Sequence, residues 1–389
     1  IIFILGFIVF YFFGRLNKFS LTKIIAYFLF FFGNAVAIGN FIRLGRVNEL
    51  FAWLNFLVFA FILLWYKDKR IDKNFFWSSL FFAIILISHQ ATAVLSAVLL
   101  FGLFLIKKGK EKFYVVLTGL ISLLLSSFWL IPYILGFFNT EAVNVVLTGP
   151  LSFSLSEIAM RLVPLLLFVT FYFYYKSNNE SKKEFIFFLP TLIVALLLFL
   201  GITFYVPILK FVYPDSHIYF FIFLIIYMFF KIDFNVFNNL YKKIIFIGLI
   251  LLPLISVAFN VVVTPNFIEY TDLEKDTLEV LERVQGRYII LADGFYSTSY
   301  SRAYYSYGAI FLNKSTSSGW YQQYTTQEYF AKLKMLNTYL KNNDPRLLEN
   351  LQFLNTNEII GYDESCDRLK EFNFEERFKK GRVCLFSYE

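Results

Sequence analysis

A series of long apolar runs, separated by short basic loops and ending near Val263, constrains this 389-residue chain more than any other feature. A bilayer core of roughly 30 Å needs about 20 apolar residues per spanning helix. The runs that meet or approach that length are 1–14, 22–40, 47–66, 74–88 with 90–106, 113–136, 156–175, 185–208, 214–230 and 244–263. They are continuous rather than alternating, so they read as helices and not as the strands of a barrel. Beyond Val263 the chain turns polar. The expected organisation is therefore a multi-pass transmembrane domain, 1–263, followed by a water-soluble α/β domain, 264–389. Composition agrees: 58% of residues are hydrophobic, 22% are aromatic and the mean hydropathy is +0.61, which argues against a soluble enzyme. Ile1 lies inside an apolar run with no basic segment before it, so this end does not read as a signal peptide and is expected to be a cut in a longer protein.

Charge sets the expected orientation. Segments 15–23, 67–73, 107–112, 176–183 and 231–243 carry 3, 4, 4, 3 and 3 basic residues, whereas the opposite loops hold Arg43, Arg46 and Lys210. The positive-inside rule assigns the first set to the cytoplasm. Run 74–106 starts and ends on basic loops, so it must cross an even number of times; it reads as a short helical hairpin turning at Ser88-His89-Gln90. With that turn, about 8–10 membrane helices place Arg43 to Glu49, His89, loop 137–155, Tyr213 to His217 and the whole tail outside the cell. The formal charge of +8 is 21 basic minus 10 acidic residues up to 263 and 15 minus 18 beyond it. The basic excess follows from topology and gives no sign of nucleic-acid binding.

In the tail, 286–292, 358–362 and 382–388 read as short buried strands, and 326–340 and 345–351 as helices. The Tyr/Ser/Gly-rich stretch from Gly294 to Tyr324 has no clear period: it is a candidate ligand surface or lid, or an irregular structural loop. Cys366 and Cys384 are the chain's two cysteines, and spacing leaves open whether they are bridged or free. Asn313-Lys-Ser315 fits a glycosylation sequon on the outer side, while Asn179-Glu-Ser181 falls on the inner side.

Ionisable residues at the outer ends of apolar helices are the candidate site, because such groups are costly near a membrane. Arg43 and Arg46 offer guanidinium donors suited to a phosphate, Glu49 or Asp215 a carboxylate able to act as general base, and His89 and His217 further substrate contacts. Asp215-x-His217 could supply a divalent cation, Mg or Mn. Each has a plainer reading beside it. The arginines can anchor the interface by snorkelling, Glu49 can serve the helix dipole, His89 can cap a turn, and Asp215 can be an N-cap after Pro214.

Gly45-Arg-Val-Asn-Glu-Leu50, Ser88-His-Gln-Ala-Thr92, Phe128-Trp-Leu-Ile-Pro132 and Tyr213-Pro-Asp together resemble the C-type (GT-C) membrane glycosyltransferase superfamily. The nearest group is the archaeal and bacterial membrane proteins labelled "6-pyruvoyl-tetrahydropterin synthase-related". The resemblance covers roughly 20–230. It implies a GT-C-like, multi-pass enzyme of the cell membrane that takes a sugar from a polyprenyl-phosphate donor at the outer leaflet, with inversion, and passes it to a glycan or protein acceptor. Such proteins keep their main carboxylate in an acidic pair in the first outer loop, which is expected upstream of Ile1; without it, Glu49 or Asp215 must serve. Asp215 with His217 stands where relatives often carry Arg, which puts a metal role in question. The competing expectation is a non-catalytic carrier, flippase or envelope assembly protein, for which buried ionisable residues and repeated broken helices would be the signature.

Overall fold

The computed structural model describes residues 1–38, 46–139, 155–206, 209, 212–232, 251, 254–259, 262, 270–291, 299–318 and 326–388. Arg43, Lys210, most of loop 137–155 and most of run 244–263 lie outside them. The chain divides into two compact units, Ile1–Ile131 with Val146–Pro265, and Asn266–Glu389 with Pro132–Val145.

The first unit is helical throughout its described residues: α1 (Ile2–Leu16), α2 (Leu21–Gly33), α3 (Val47–Lys67), α4 (Trp77–Ser88), α5 (Gln90–Ile106), α6 (Lys110–Leu125), α7 (Ser127–Asn139), α8 (Leu155–Ser177), α9 (Lys182–Phe199) and α10 (Pro214–Lys231), with α7 reaching across the division. Of these, α3 and α10 are long and apolar enough to cross a membrane, and α1, α2, α5 and the segment Lys73–Ser88 are shorter apolar helices. Three expected spans break, each for a local reason. Run 22–40 stops at Gly33 because the Asn34 carboxamide oxygen accepts from the amides of Val36 and Ala37 and starts a new short turn. Run 113–136 is interrupted at Ser126, where Ser122 and Ser126 hydroxyls donate back to the carbonyls of Thr118 and Ser122. Run 185–208 ends in a left-handed turn at Gly201, φ +72°. The run 74–106 divides at His89, between α4 and α5.

Packing in this unit is aromatic. Phe13 stacks on Phe61 with centroids 3.6 Å apart, and Phe10 meets Tyr27, Phe31, Phe32 and Phe61. Each well-placed ring pair adds about 0.5–1.5 kcal/mol to the contact it already makes. Helix α5 packs against α9 at Gly102, where an added Cβ would run into the Phe187 carbonyl oxygen, so glycine is required for that close approach. At the lysine-rich end, Lys67 of α3 is fully buried and ion-pairs with Glu184 of α9, while Tyr174 of α8 donates to the same carboxylate at 2.9 Å. Elsewhere large apolar side chains face outward, among them Leu124 and Phe128, each 72% exposed, with Leu120, Leu162 and Leu166.

The second unit is a four-stranded sheet with helices. After α11 (Asp272–Arg283) come β1 (Tyr288–Leu291), α12 (Ser299–Phe311), α13 (Gln327–Lys341), α14 (Arg346–Phe353), β2 (Glu358–Tyr362), α15 (Glu364–Glu371), β3 (Glu375–Lys380) and β4 (Val383–Ser387). The order is β1-β2-β4-β3; β1 runs parallel to β2 and the other pairs are antiparallel. The three strands and two helices expected from sequence are present within two residues or so of their bounds. Helix α11 starts at a reciprocal capping box between Thr271 and Glu274. The period missing from the Tyr/Ser/Gly stretch is that of α12, whose buried face is made of Tyr304 and Tyr305 rather than aliphatics; residues 292–298 and 319–325 of the stretch are outside the description. Cys366 and Cys384 are bridged, tying α15 to β4. Burial holds the Tyr288 and Tyr305 phenols well above their ordinary range and pushes Tyr362 up to about 12. Asn313 of the sequon is exposed, at the turn that follows α12.

Candidate functional site

Three helices begin at one end of the first unit, and the sequence places a polar residue at each start. Arg46 is the residue before α3, and Glu49 lies in that helix's first turn. Asp215 is in the first turn of α10, which opens on Pro214, a residue whose fixed φ suits a first helical position. His89 is the cap of α5. The C-termini of α2, at Gly33 beside the cleft residues Val36 and Ala37, and of α4, at Ser88 beside His89, reach the same end, so the helix dipoles there offset one another and the site's charge is set by its side chains.

The geometry joins two of these starts, 169 residues apart in sequence. Arg46 Nη1 donates to Asp215 Oδ2 at 2.9 Å and to Glu49 Oε2 at 3.3 Å. The guanidinium lies 5.4 Å from the centre of the Tyr213 ring. Glu49 is almost fully buried, and its other oxygen accepts from Trp53 Nε1 at 3.4 Å and from Ser216 Oγ at 3.3 Å. Asp215 Oδ1 accepts from the Ser216 amide. His89 lies close enough to feel the charges of Glu49, Arg46 and Asp215, and its Nδ1 is 2.8 Å from Thr92 Oγ1. A shallow cleft of about 250 Å³, counted out to open solvent, is lined by Val36, Ala37, Arg46, Glu49, Leu50, Trp53 and Tyr219.

Of the six residues expected to form the site, the structure brings Arg46, Glu49 and Asp215 into contact and His89 into their neighbourhood. His217 stands apart. It is fully buried, its Nδ1 meets the Tyr213 carbonyl at 3.1 Å, and its Nε2 has no partner among the described residues. Asp215 turns to Arg46 and His217 to the Tyr213 carbonyl, and no group of three or more His, Cys, Asp or Glu suited to a metal occurs among the described residues. Arg43 lies outside the described residues. Trp53, Ser216 and Tyr219 were missed from sequence. The signal was helical spacing: Trp53 is four residues after Glu49, and Tyr219 four after Asp215, so each pair shares a helix face.

No protein-family model matches the chain, and no curated protein matches it.

Chemically, the described cluster sets one cation against two carboxylates. A nearly buried Glu49 bound by three long hydrogen bonds of 3.3–3.4 Å is loosely held, since such bonds centre near 2.9 Å. It can exchange one of them for a ligand donor. Asp215, held at 2.9 Å, is the firmer partner of Arg46.

Proposed function

We propose that this chain is a polytopic membrane glycosyltransferase of GT-C-like type, which uses a polyprenyl-phosphate-linked sugar at the outer face of the cell membrane. The observation that carries the reading is the meeting of Arg46, Glu49 and Asp215 from two helices that lie far apart in sequence.

Membrane residence is supported by the two span-length apolar helices, the shorter ones beside them and the outward-facing Leu and Phe side chains of α6 to α8. Helices α3, α8 and α10 end on Lys67, Lys176 and Lys231, and α6 and α9 start on lysines; these ends are expected in the cytoplasm, with the polar cluster at the other face. The Cys366–Cys384 bridge fits a tail in an oxidising, extracytoplasmic compartment.

In the proposed reaction an acceptor hydroxyl attacks the anomeric carbon, the bond from that carbon to the phosphate oxygen breaks, and the hydroxyl proton passes to a carboxylate. Glu49 is the nearer of the two carboxylates to the cleft. Arg46, about a third exposed, would stabilise the departing lipid phosphate. The test is turnover of polyprenyl-phosphate sugars by the purified protein in nanodiscs. Loss of turnover on Glu49→Gln supports the reading; no transfer from any such donor removes it. The carrier reading draws on the buried Lys67–Glu184 pair, since ionisable residues inside a helical bundle also mark transport paths. Uptake or flipping of labelled lipid sugar without transfer would favour it.

A further inference from the structure

We infer that Asn313 is an N-glycosylation site, and that its glycan covers the apolar end of α12. The inference rests on the outer placement of the tail and is independent of any sugar transfer by the chain itself.

The geometry of the sequon carries the first argument. Asn313, Lys314 and Ser315 follow α12 as a short segment in which the two outer residues are exposed and the middle one is half-buried. Lys314 anchors it. Its amide donates to the Gly308 carbonyl at 2.8 Å, and its Nζ donates to the carbonyls of Val284 at 2.6 Å and Glu282 at 3.2 Å. The Ser315 carbonyl accepts from the Tyr288 amide of β1 at 3.1 Å. The backbone is thus pinned from within, while the Asn313 and Ser315 side chains make no hydrogen bond among the described residues. An Asn amide with a hydroxyl two residues on is the acceptor pattern, and it needs the surface because the glycan is bulky. The glycan is added as the tail emerges from the membrane, and the folded domain has room to keep it.

The second sequon, Asn179-Glu-Ser181, supplies the comparison. Asn179 is also exposed, also lies just past a helix, α8, and also has left-handed backbone, with φ +54° against +51° for Asn313. Local geometry therefore does not separate the two sites; the side of the membrane does. Asn179 lies in the basic segment 176–183, expected in the cytoplasm, whereas the Cys366–Cys384 bridge of the tail fits the oxidising outer compartment.

The surface beside the sequon carries the third argument. Ile310 and Phe311, 73% and 71% exposed, are the most uncovered large apolar side chains among the described residues of the tail. They end α12, and the Phe311 ring lies 5.0 Å from that of Tyr307. Adjoining apolar side chains left open on a water-soluble domain call for a cover. A glycan on Asn313, two residues past Phe311, can lay the C–H face of a sugar on them and turn its hydroxyls to water. In the modification, a bond forms between Asn313 Nδ2 and the anomeric carbon of a lipid-phosphate-linked glycan. The bond from that carbon to the phosphate oxygen breaks, the lipid phosphate leaves, and the amide proton passes to a base of the glycan-transferring enzyme.

The experiment is peptide mass spectrometry of the full-length protein purified from the membranes of the organism that makes it. The inference expects a glycan on peptides containing Asn313, its complete loss in Asn313→Gln and in Ser315→Ala, its retention in Ser315→Thr, and an unmodified Asn179. Ser315→Ala removes the glycan without touching the Asn313 turn, so chymotryptic cleavage after Phe311 in the intact protein should be at least three-fold faster in that variant. A bare Asn313, or a glycan on Asn179, overturns the site; equal cleavage rates overturn the covering role. Asn313→Cys, probed with a membrane-impermeant maleimide on intact cells, separates the causes of failure. A bare Asn313 with Asn313→Cys labelled sinks the site and leaves the tail outside, whereas labelling only after permeabilisation sinks both. Donor turnover in Ser315→Ala should be unchanged, so the transferase stands or falls on its own assay.

Discussion

Replacing Arg46 by Gln should destabilise the first unit, and removing the carboxylate it faces should give part of that stability back. The guanidinium compensates Asp215 at 2.9 Å and the nearly buried Glu49 at 3.3 Å. At an effective dielectric of 20, unit charges at about 4 Å interact by about 4 kcal/mol. The Arg46 and Asp215 side chains are 31% and 22% exposed, so water screens much of that figure. Contacting charged residues then show couplings of about 0.5–3 kcal/mol, and about 1–2 kcal/mol is expected here. The assay is a double-mutant cycle on Arg46→Gln and Asp215→Asn in the full-length protein, unfolded by titrating SDS into mixed micelles and followed by far-UV circular dichroism. The account expects the double variant to be more stable than the sum of the single losses implies, by about that coupling. A parallel cycle with Glu49→Gln should couple too, because Gln keeps the shape and removes the uncompensated buried charge. A coupling below about 0.3 kcal/mol in both cycles, inside the additivity expected of independent sites, would mean that the start of α3 does not meet the start of α10.

Four further outcomes are expected. Lys67→Met should cost about 3–5 kcal/mol in the same SDS titration because it strands the buried Glu184 carboxylate, and adding Glu184→Gln should recover part of the loss. Gly102→Val should lower stability by about 2 kcal/mol or more, since the new side chain meets the Phe187 backbone and not a movable side chain; a neutral result would mean α5 and α9 are farther apart. Cys366→Ser should cost the tail about 3 kcal/mol, read as faster proteolysis of the tail in the intact protein, because the bridge closes residues 18 apart. The buried tyrosines make the tail sensitive to alkali. Phenols whose folded pKa is raised contribute stability that is full below the unfolded value of 10.0 and is lost as pH climbs through the folded values, so proteolysis of the tail should accelerate between pH 10 and about 12 through Tyr362, with Tyr288 and Tyr305 acting in the same direction.

Hydropathy located most helices of the first unit because continuous apolar runs carry the signal in themselves. It failed where a single polar residue broke a run: neither Asn34 nor Ser126 changes a window average, yet each redirects backbone hydrogen bonds. Positions 74–106 were legible as two helices because the polar Ser88-His89-Gln90 break falls inside the apolar run, and the helices divide there. In the tail, α12 was hidden because tyrosine serves as both a buried and a surface residue, so Tyr304 and Tyr305 leave no clear apolar stripe. Strand β3, Glu375–Lys380, was hidden because it is almost all charged: it is an exposed edge paired on one side with β4. At the candidate site, Arg46, Glu49 and Asp215 could be picked out as ionisable residues at helix starts. Tyr219 and Trp53 looked like ordinary core aromatics, and what singles them out, an unpaired hydroxyl and an indole proton aimed at a carboxylate, exists in three dimensions alone.

Sidedness tests the central claim most directly. Because the two native cysteines are bridged to each other, single reporters can be read cleanly with a membrane-impermeant maleimide on intact cells. Val47→Cys, beside Arg46 and half exposed, should be labelled from outside, and Arg70→Cys, in the exposed basic loop after α3, should react once the membrane is permeabilised and not before. Labelling of Arg70→Cys in intact cells with Val47→Cys protected would put the Arg46–Glu49–Asp215 cluster inside the cell and contradict the account.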